Sequence, residues 1–240
     1  MPLASLRTLR TFPKALYFNG INAYVEVPHS DSLNLNELTI IAWIKPMVDG
    51  FFWFVAKADP FISGTPGFIC IRDYANHLSF YMSDGENGGW IYTNAVLTTG
   101  LWWNVAIANN TTTVKLYING ELDREGDAKT SSIAPTTVPL YIGRDIYPDY
   151  SNGHIAQVLA YNKTLSQVEI KQSVNNPLNP AKQEYLVLWL DWTSIDIANG
   201  LWLDRSGNDN DGVIHGATEE TIIKSKARSL SVARSLYPFR

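Results

Sequence analysis

The chain has 240 residues, 45% hydrophobic and 12% aromatic, which suits one large packed domain and excludes a chain disordered throughout. Its single cysteine, Cys70, excludes an internally disulfide-stapled scaffold; with no long apolar run and no signal-type stretch in MPLASLRTLRTFPKALYF, neither a membrane span nor a secretory leader is expected. The net charge of −4 divides unevenly: residues 1–14 and 221–240 hold eight of the 19 basic residues and no acid, leaving the body between them about twelve net negative charges.

In chain order, ALYFNGINAYVEV at 15–27 alternates around Asn19-Gly20, a pair suited to a tight turn, and predicts a hairpin. LTIIAWIKP, at 38–46, is rich in β-branched and aromatic residues and predicts a buried strand. Further strands are predicted at 51–57, 67–72, 78–82, 90–94 and 102–109, separated by Gly, Asp, Asn or Pro. VKLYINGELD predicts a hairpin turning at Asn119-Gly120, and VPLYIGRD and GHIAQVLAYN add two strands. Only 165–174 has helical spacing, with Leu165, Val168, Ile170 and Val174 near one face. One short helix among about a dozen strands predicts an all-β, antiparallel two-sheet sandwich.

Three ordered segments carry a family resemblance. ALYFNGINAYVEVPHSDSLNLNELTIIAWIKP resembles the opening of the laminin G-like, concanavalin A-like jelly-roll domains. WWNVAIANNTTTVKLYINGELD is similar to their tryptophan strand and following hairpin, and PLYIGRD with NGHIAQVLAYNKTLSQVEI to their closing strand and helical turn. The resemblance implies a jelly roll over 15–174; it says less about function, because such sandwiches serve as sugar binders, adhesion modules, capsid parts and glycosidases. Where the family usually carries an acidic pair, Ala156-Gln157 stand, which weighs against calcium there. A further segment, 184–218, is similar to the first strand and D-x-S-G-N-x-N-x-G turn that many relatives carry before ALYF. Within 175–218 it therefore reads as a linker and a displaced strand, which either completes its own sandwich as a permutation or pairs with another copy. This arrangement, followed by a basic tail at 219–240, resembles structural proteins of viruses infecting thermophilic archaea.

The most enzyme-like string is ELDRE, where Glu121, Asp123 and Glu125 sit at the period-2 spacing that laminarinase-type glycosidases of the same superfamily use. It follows the Asn119-Gly120 turn directly, a solvated hairpin tip rather than a cleft-lining strand, so catalysis is not expected. The loop DRSGNDNDG fails an EF-hand register, because Gly207 and Thr218 stand where acids are needed. Asp145, Asp149 and Asn152 form a better oxygen cluster, either a polar loop or a calcium site that anchors a sugar; otherwise no cofactor is expected. His29, His77, His154 and His215 lack metal-ligand spacing, and no nucleophile-elbow, P-loop or dinucleotide motif occurs.

Sugar rings stack on exposed aromatics flanked by amides and acids. Trp90, Tyr92, Tyr147 and Tyr150 lie in or beside the loops richest in Asn, Asp and Gly, and with Asp145, Asp149 and Asn152 they form the expected ligand-binding set; Trp43, Trp102, Trp189 and Trp202 read as core. Sequons fall at Asn109, Asn110 and Asn162.

In the arms, Arg7 and Arg10 lie within SLRTLRTF, while Lys224 and Lys226 precede a stretch in which Arg228, Leu230, Val232, Arg234 and Leu236 share one side of an extended strand. Docking on the acidic body of another copy fits the charge division; nucleic acid would ask for denser Lys and Arg or aromatic stacking. The reading is a non-catalytic jelly-roll assembly protein, a virion capsid or appendage component at a virion or extracellular surface, contacting copies of itself or other virion proteins. The alternative is a lectin-like module binding a cell-surface glycan.

Overall fold

The computed structural model describes residues 12–58, 65–147 and 149–222. Arg7, Arg10, Lys224, Lys226, Arg228, Leu230, Val232, Arg234 and Leu236 lie outside them, so the expectations placed on the arms do too. Among the described residues the chain forms β1 (Lys14–Asn19), β2 (Tyr24–Val27), β3 (Leu38–Pro46), β4 (Phe52–Lys57), β5 (Gly67–Arg72), β6 (His77–Ser83), β7 (Gly88–Val96), β8 (Trp103–Asn109), β9 (Thr113–Ile118) and β10 (Glu121–Asp127). There follow β11 (Leu140–Ile142), β12 (Asn152–Tyr161), α1 (Gln167–Asn175), β13 (Leu186–Asp191), β14 (Ile195–Asp196), β15 (Leu201–Trp202), β16 (Gly212–His215) and β17 (Thr218–Thr221). The strands build two antiparallel sheets, as expected for a sandwich. One runs β10-β9-β8-β3-β12-β1-β17, with β13 also on β12; the other runs β14-β15-β16-β2-β11-β4-β5-β6-β7.

Alternation decides which side chains meet between the sheets. Leu16 and Phe18 of β1, Val25 and Val27 of β2, Phe52 and Phe54 of β4, Phe68 and Cys70 of β5 and Leu78 and Phe80 of β6 all enter the central core. Burial pushes the Cys70 thiol well above its ordinary value, consistent with a packing role. Trp43, Trp189 and Trp202 are buried, and Trp102 packs half-buried against the same core.

The segment at 15–27 is not a hairpin. Asn19 Oδ1 accepts from the backbone N–H of Ile21, Asn22 and Ala23, while Gly20 takes φ +71°. The side chain closes the turn locally, so the backbone is free to cross between sheets: β1 pairs with β12 and β17, β2 with β11 and β16. The Asn119-Gly120 turn does join a hairpin, β9 to β10. The helix starts two residues later than its spacing predicts, because Ser166 caps it: its Oγ accepts from Glu169 N–H, and the Glu169 carboxylate accepts from Ser166 N–H.

The displaced segment joins both sheets of its own chain. β13 lies antiparallel to β12 from Gln157 to Tyr161, beyond the stretch of β12 that β1 occupies, while β16 extends the other sheet along β2. Polar side chains fix it in place. Trp202 Nε1 donates to the Asp191 carbonyl at 2.8 Å, and Asn210 Nδ2 to the Val187 carbonyl at 2.7 Å. The Asp204 carboxylate accepts from the backbone N–H of Trp189, Ser206 and Asn210, which makes DRSGNDNDG a turn that organises its own backbone.

Candidate functional site

In an antiparallel sandwich the outward face of a sheet ordinarily meets water and carries polar side chains. Strands β4, β5 and β6 break that pattern: between alternate core residues they place Trp53, Ala56, Ile69, Ile71 and Tyr81 outward, and these form a second buried apolar cluster against which Trp90 and Tyr141 pack. A bulge in β4 supports this. Trp53 pairs with Ile71 and Val55 with Cys70, so Phe54 and Val55 both enter the core while Trp53 and Ala56 keep the outer face.

Register then builds the floor of a cavity. Trp53 lies opposite Ile71, Ile71 opposite Ser79 and Ser79 opposite Tyr92, one continuous row over four strands; one pleat along, Ala56, Ile69, Tyr81 and Trp90 form a second row. The cavity above has a volume of about 430 Å³ and is lined by these first-row residues together with Trp90, Phe51, Asp73 and Tyr74. Phe51 stacks on Trp53 at 5.5 Å between ring centroids with planes 27° apart, and Tyr81 meets Trp90 at 5.2 Å. The edges stay open: Phe51 is 40% exposed, Tyr92 54% and Tyr74 79%, whereas Trp53 is sealed beneath at 1%.

The aromatic corner is braced from below. Arg72, at the end of β5, points inward and is fully buried; its guanidinium donates to the carbonyls of Leu97, Val48 and Gly50 and pairs with Asp49 at 3.1 Å. Burial lowers its pKa and Asp49 opposes the shift. This cation holds the loop that carries Phe51. Asp73 organises the β5–β6 turn: its carboxylate accepts from His77 N–H at 2.9 Å and from the Ser79 hydroxyl at 2.7 Å. Asn76 takes φ +68° there, and its side-chain oxygen accepts from Gly50 N–H, tying the turn to the Phe51 loop.

Of the ligand-binding set expected from sequence, Trp90 and Tyr92 line the cavity, while the others lie in the loop between β11 and β12 or at the start of β12. Asp149 reaches the floor from the side, its carboxylate accepting from Trp53 Nε1 at 3.1 Å. Ser151 Oγ accepts from Trp53 N–H at 2.7 Å. Tyr150 belongs to a different arrangement, in which the Arg144 guanidinium lies over Tyr24, Tyr141 and Tyr150 at 4.8, 4.8 and 5.5 Å. Tyr147 is exposed at the loop tip.

The oxygen cluster does not assemble. Asp145 is buried with Oδ2 unpartnered, Asp149 is exposed, and Asn152 directs its amide to the Asn19 carbonyl at 3.5 Å. Among the described residues no group of three His, Cys, Asp or Glu side chains is arranged to hold a metal, so the calcium alternative for this loop draws no support from such a group. Burial, the largest influence, raises the Asp145 carboxyl to about 7, against the hydrogen bond from Asp149 N–H.

The ELDRE carboxylates lie on edge strand β10 with separate partners. Glu121 pairs with Lys171 at 2.9 Å, Glu125 with Lys115 at 3.4 Å, and Asp123 accepts from Asn94 N–H. A register shift between Leu122 and Arg124 interrupts their spacing, and none of the three lines the cavity. Of the sequons, Asn110 and Asn162 are exposed. Asn109 is a correction: its side chain is buried, its Nδ2 donates to the Asn36 carbonyl and its Oδ1 accepts from Thr111 N–H, which leaves no room for a glycan. No described helix is long and apolar enough to cross a membrane.

Sequence reasoning did not single out Phe51, Trp53, Ile71, Asp73, Tyr74 or Ser79. The available signal was FFWFVAK beside GFICIR: strands apolar at every position before a terminal Lys57 and Arg72, in a fold whose sheets normally have one wet face.

A laminin G model of the concanavalin A-like lectin/glucanases superfamily matches residues 19–171, well over half of the chain. No curated protein matches the sequence. Among solved structures, a Bacteroides ovatus protein described as a candidate carbohydrate binding protein superposes with a TM-score of 0.70 at 19% identity, over 89% of this chain and 61% of its own. The chain thus spans about three fifths of that protein. The CBM40 of the Ruminococcus gnavus IT-sialidase, bound to α2,3-sialyllactose, matches with a TM-score of 0.53 at 16% identity, over 68% of this chain and 98% of its own. The native heptameric SAP-like pentraxin of Limulus polyphemus matches with a TM-score of 0.50 at 12% identity, over 68% and 82%. At these identities the likeness is one of fold.

Proposed function

The chain belongs to the concanavalin A-like lectin/glucanases superfamily, and from that premise we propose that it is a carbohydrate-binding module whose site is the aromatic cavity on the outer face of β4 to β7. The observation that carries this is the cross-strand row Trp53, Ile71, Ser79 and Tyr92, an apolar floor with open aromatic edges and a hydroxyl and a carboxylate at one side. Such a floor receives the C–H face of a sugar ring while the polar edge takes its hydroxyls, the division of labour seen generally in small-ligand sites. The carboxylates Glu121, Asp123 and Glu125 of β10 lie apart from the cavity with partners of their own, which supports binding over hydrolysis. A glycan array probed with the full chain tests it: one or more glycans are retained, and retention is lost in Trp90→Ala and reduced in Tyr92→Ala. An array on which both variants bind as the wild type does sinks the reading.

A self-assembly role for the basic arms, at a virion or extracellular surface, uses other parts of the chain and is compatible with sugar binding. The charge division supports it, about twelve net negative charges in 15–220 against eight basic residues outside. Truncation after Ile222 keeps β17 and removes the tail, and light scattering should then report a smaller particle than for the full chain. Equal masses overturn the assembly role.

A further inference from the structure

The cavity's walls have a chemical bias that bears on which sugars it takes, an inference that rests on the carbohydrate-binding reading above. Asp73 is the one charged side chain among the described lining residues. Its two oxygens already accept from His77 N–H and the Ser79 hydroxyl, and Ser79, whose proton is committed to Asp73, offers the cavity only lone pairs. Two more carboxylates flank the aromatic floor. Asp149 holds Trp53 Nε1, and Asp49, 77% exposed, stands beside the Phe51 loop and the 73–77 turn. Of the cations nearby, Arg72 is turned away and spent on backbone carbonyls and Asp49, Arg124 donates to Asn94 Oδ1 and Lys129 runs along Gly89; none of the three lines the cavity. The tyrosine hydroxyls donate or accept equally and do not alter the sign.

We infer that the site selects neutral, hydroxyl-rich saccharides and rejects sugars bearing a carboxylate or sulfate. Hydroxyls can donate into the acceptor edge made by Asp73 and Ser79. An anionic sugar would bring its charge beside Asp73, and beside Asp149 and Asp49, with no described cation lining the cavity to receive it. This separates the chain from the R. gnavus CBM40, whose structure holds sialyllactose on the same kind of sandwich.

The full chain is titrated by calorimetry at pH 8 with neutral gluco-, galacto- and manno-oligosaccharides, with α2,3-sialyllactose and with a sulfated disaccharide. The expected result is binding of a neutral saccharide, lost in Trp90→Ala, with both anionic sugars weaker by at least about tenfold. Added salt should narrow the gap. Asp73→Asn keeps an oxygen for His77 N–H and removes the charge; it should weaken the neutral ligand and narrow the gap further. Sialyllactose or the sulfated sugar binding as tightly as any neutral one, with that binding lost in Trp90→Ala, overturns the selectivity while leaving the site intact. No sugar binding at all, or binding indifferent to Trp90→Ala, overturns the carbohydrate reading itself.

Discussion

On the β16 and β2 side of the nine-stranded sheet, side chains divide as an antiparallel sheet should: Val25 and Val27 fill the core, while Tyr24, Glu26 and His215 face outward, with Tyr24 stacked on His215 at 4.4 Å. On the β4 to β7 side both faces are apolar, and Trp53, Ile69, Ile71 and Tyr81 are buried on the face opposite the core. One apolar face is enough to hold the sheet against its partner, as β2 and β16 demonstrate. The second apolar face is therefore additional to what the sandwich needs, and its exposed aromatic edges at Phe51, Tyr74 and Tyr92 support the binding role proposed for it. The loop 143–151 is the seam between the two halves: Arg144 reaches Tyr24 on one side and Asp149 reaches Trp53 on the other.

The contrast can be broken most directly at Trp53. Trp53→Ala should cost about 3–5 kcal/mol in urea denaturation, the price of a large core residue, as well as abolishing sugar binding; a cost under about 1 kcal/mol would show that the outer cluster is not a second core. The seam comes next. Asp145 keeps its proton in the folded chain up to about pH 7 because it is buried, whereas in the unfolded chain it ionises near 4. Between those values the folded state binds the extra proton, so stability falls as pH rises, by at most roughly 1.4 kcal/mol per pH unit, and levels off above the upper value. Asp145→Asn should lack this slope and gain on the wild type from pH 4 to 7 in parallel denaturation curves; parallel pH dependences refute the assignment.

Smaller effects sharpen the comparison. Tyr24→Ala removes the His215 stack and one of the rings beneath Arg144, and should cost about 1 kcal/mol with sugar affinity unchanged. A loss of affinity there would mean that the two halves act together. Tyr92→Ala, at an open edge, should leave stability within about 0.5 kcal/mol and weaken sugar binding by about 1 kcal/mol, read by calorimetry. The reverse pattern would make Tyr92 a packing residue.

What the sequence disclosed was what short-range chemistry decides. Asn119-Gly120 turns a hairpin and the spacing of Leu165, Val168, Ile170 and Val174 marks a helix, because each result depends on neighbours within a few residues. Asn19-Gly20 has the same local chemistry and a different outcome: the turn is made by the Asn19 side chain, and which strand β2 then meets is decided by β11 and β16, far away in the chain. The candidate site was legible only in part for the same reason. Trp90 and Tyr92 stood out by their polar, glycine-rich surroundings, but the two rows they complete exist only once the register of four strands is known, and the β4 bulge that turns Trp53 outward leaves no mark in FFWFVAK.

The pairing of β17 with β1 has a mechanical consequence. Lys14 lies opposite Thr221 and Ile222 N–H donates to the Pro13 carbonyl, so the backbone enters and leaves the folded body at neighbouring points on one edge. Both strands pass directly to β2 and β16, whereas β7 contacts β10 through Asp123 at the opposite end of the sandwich. A tether at either terminus grips one end, and the aromatic cavity faces outward at the other, held clear of the anchorage. Pulling both termini apart would peel β17 from β1 one residue pair at a time, the least resistant way to load a sheet, and that edge would yield long before the strands that carry Trp53 and Tyr92.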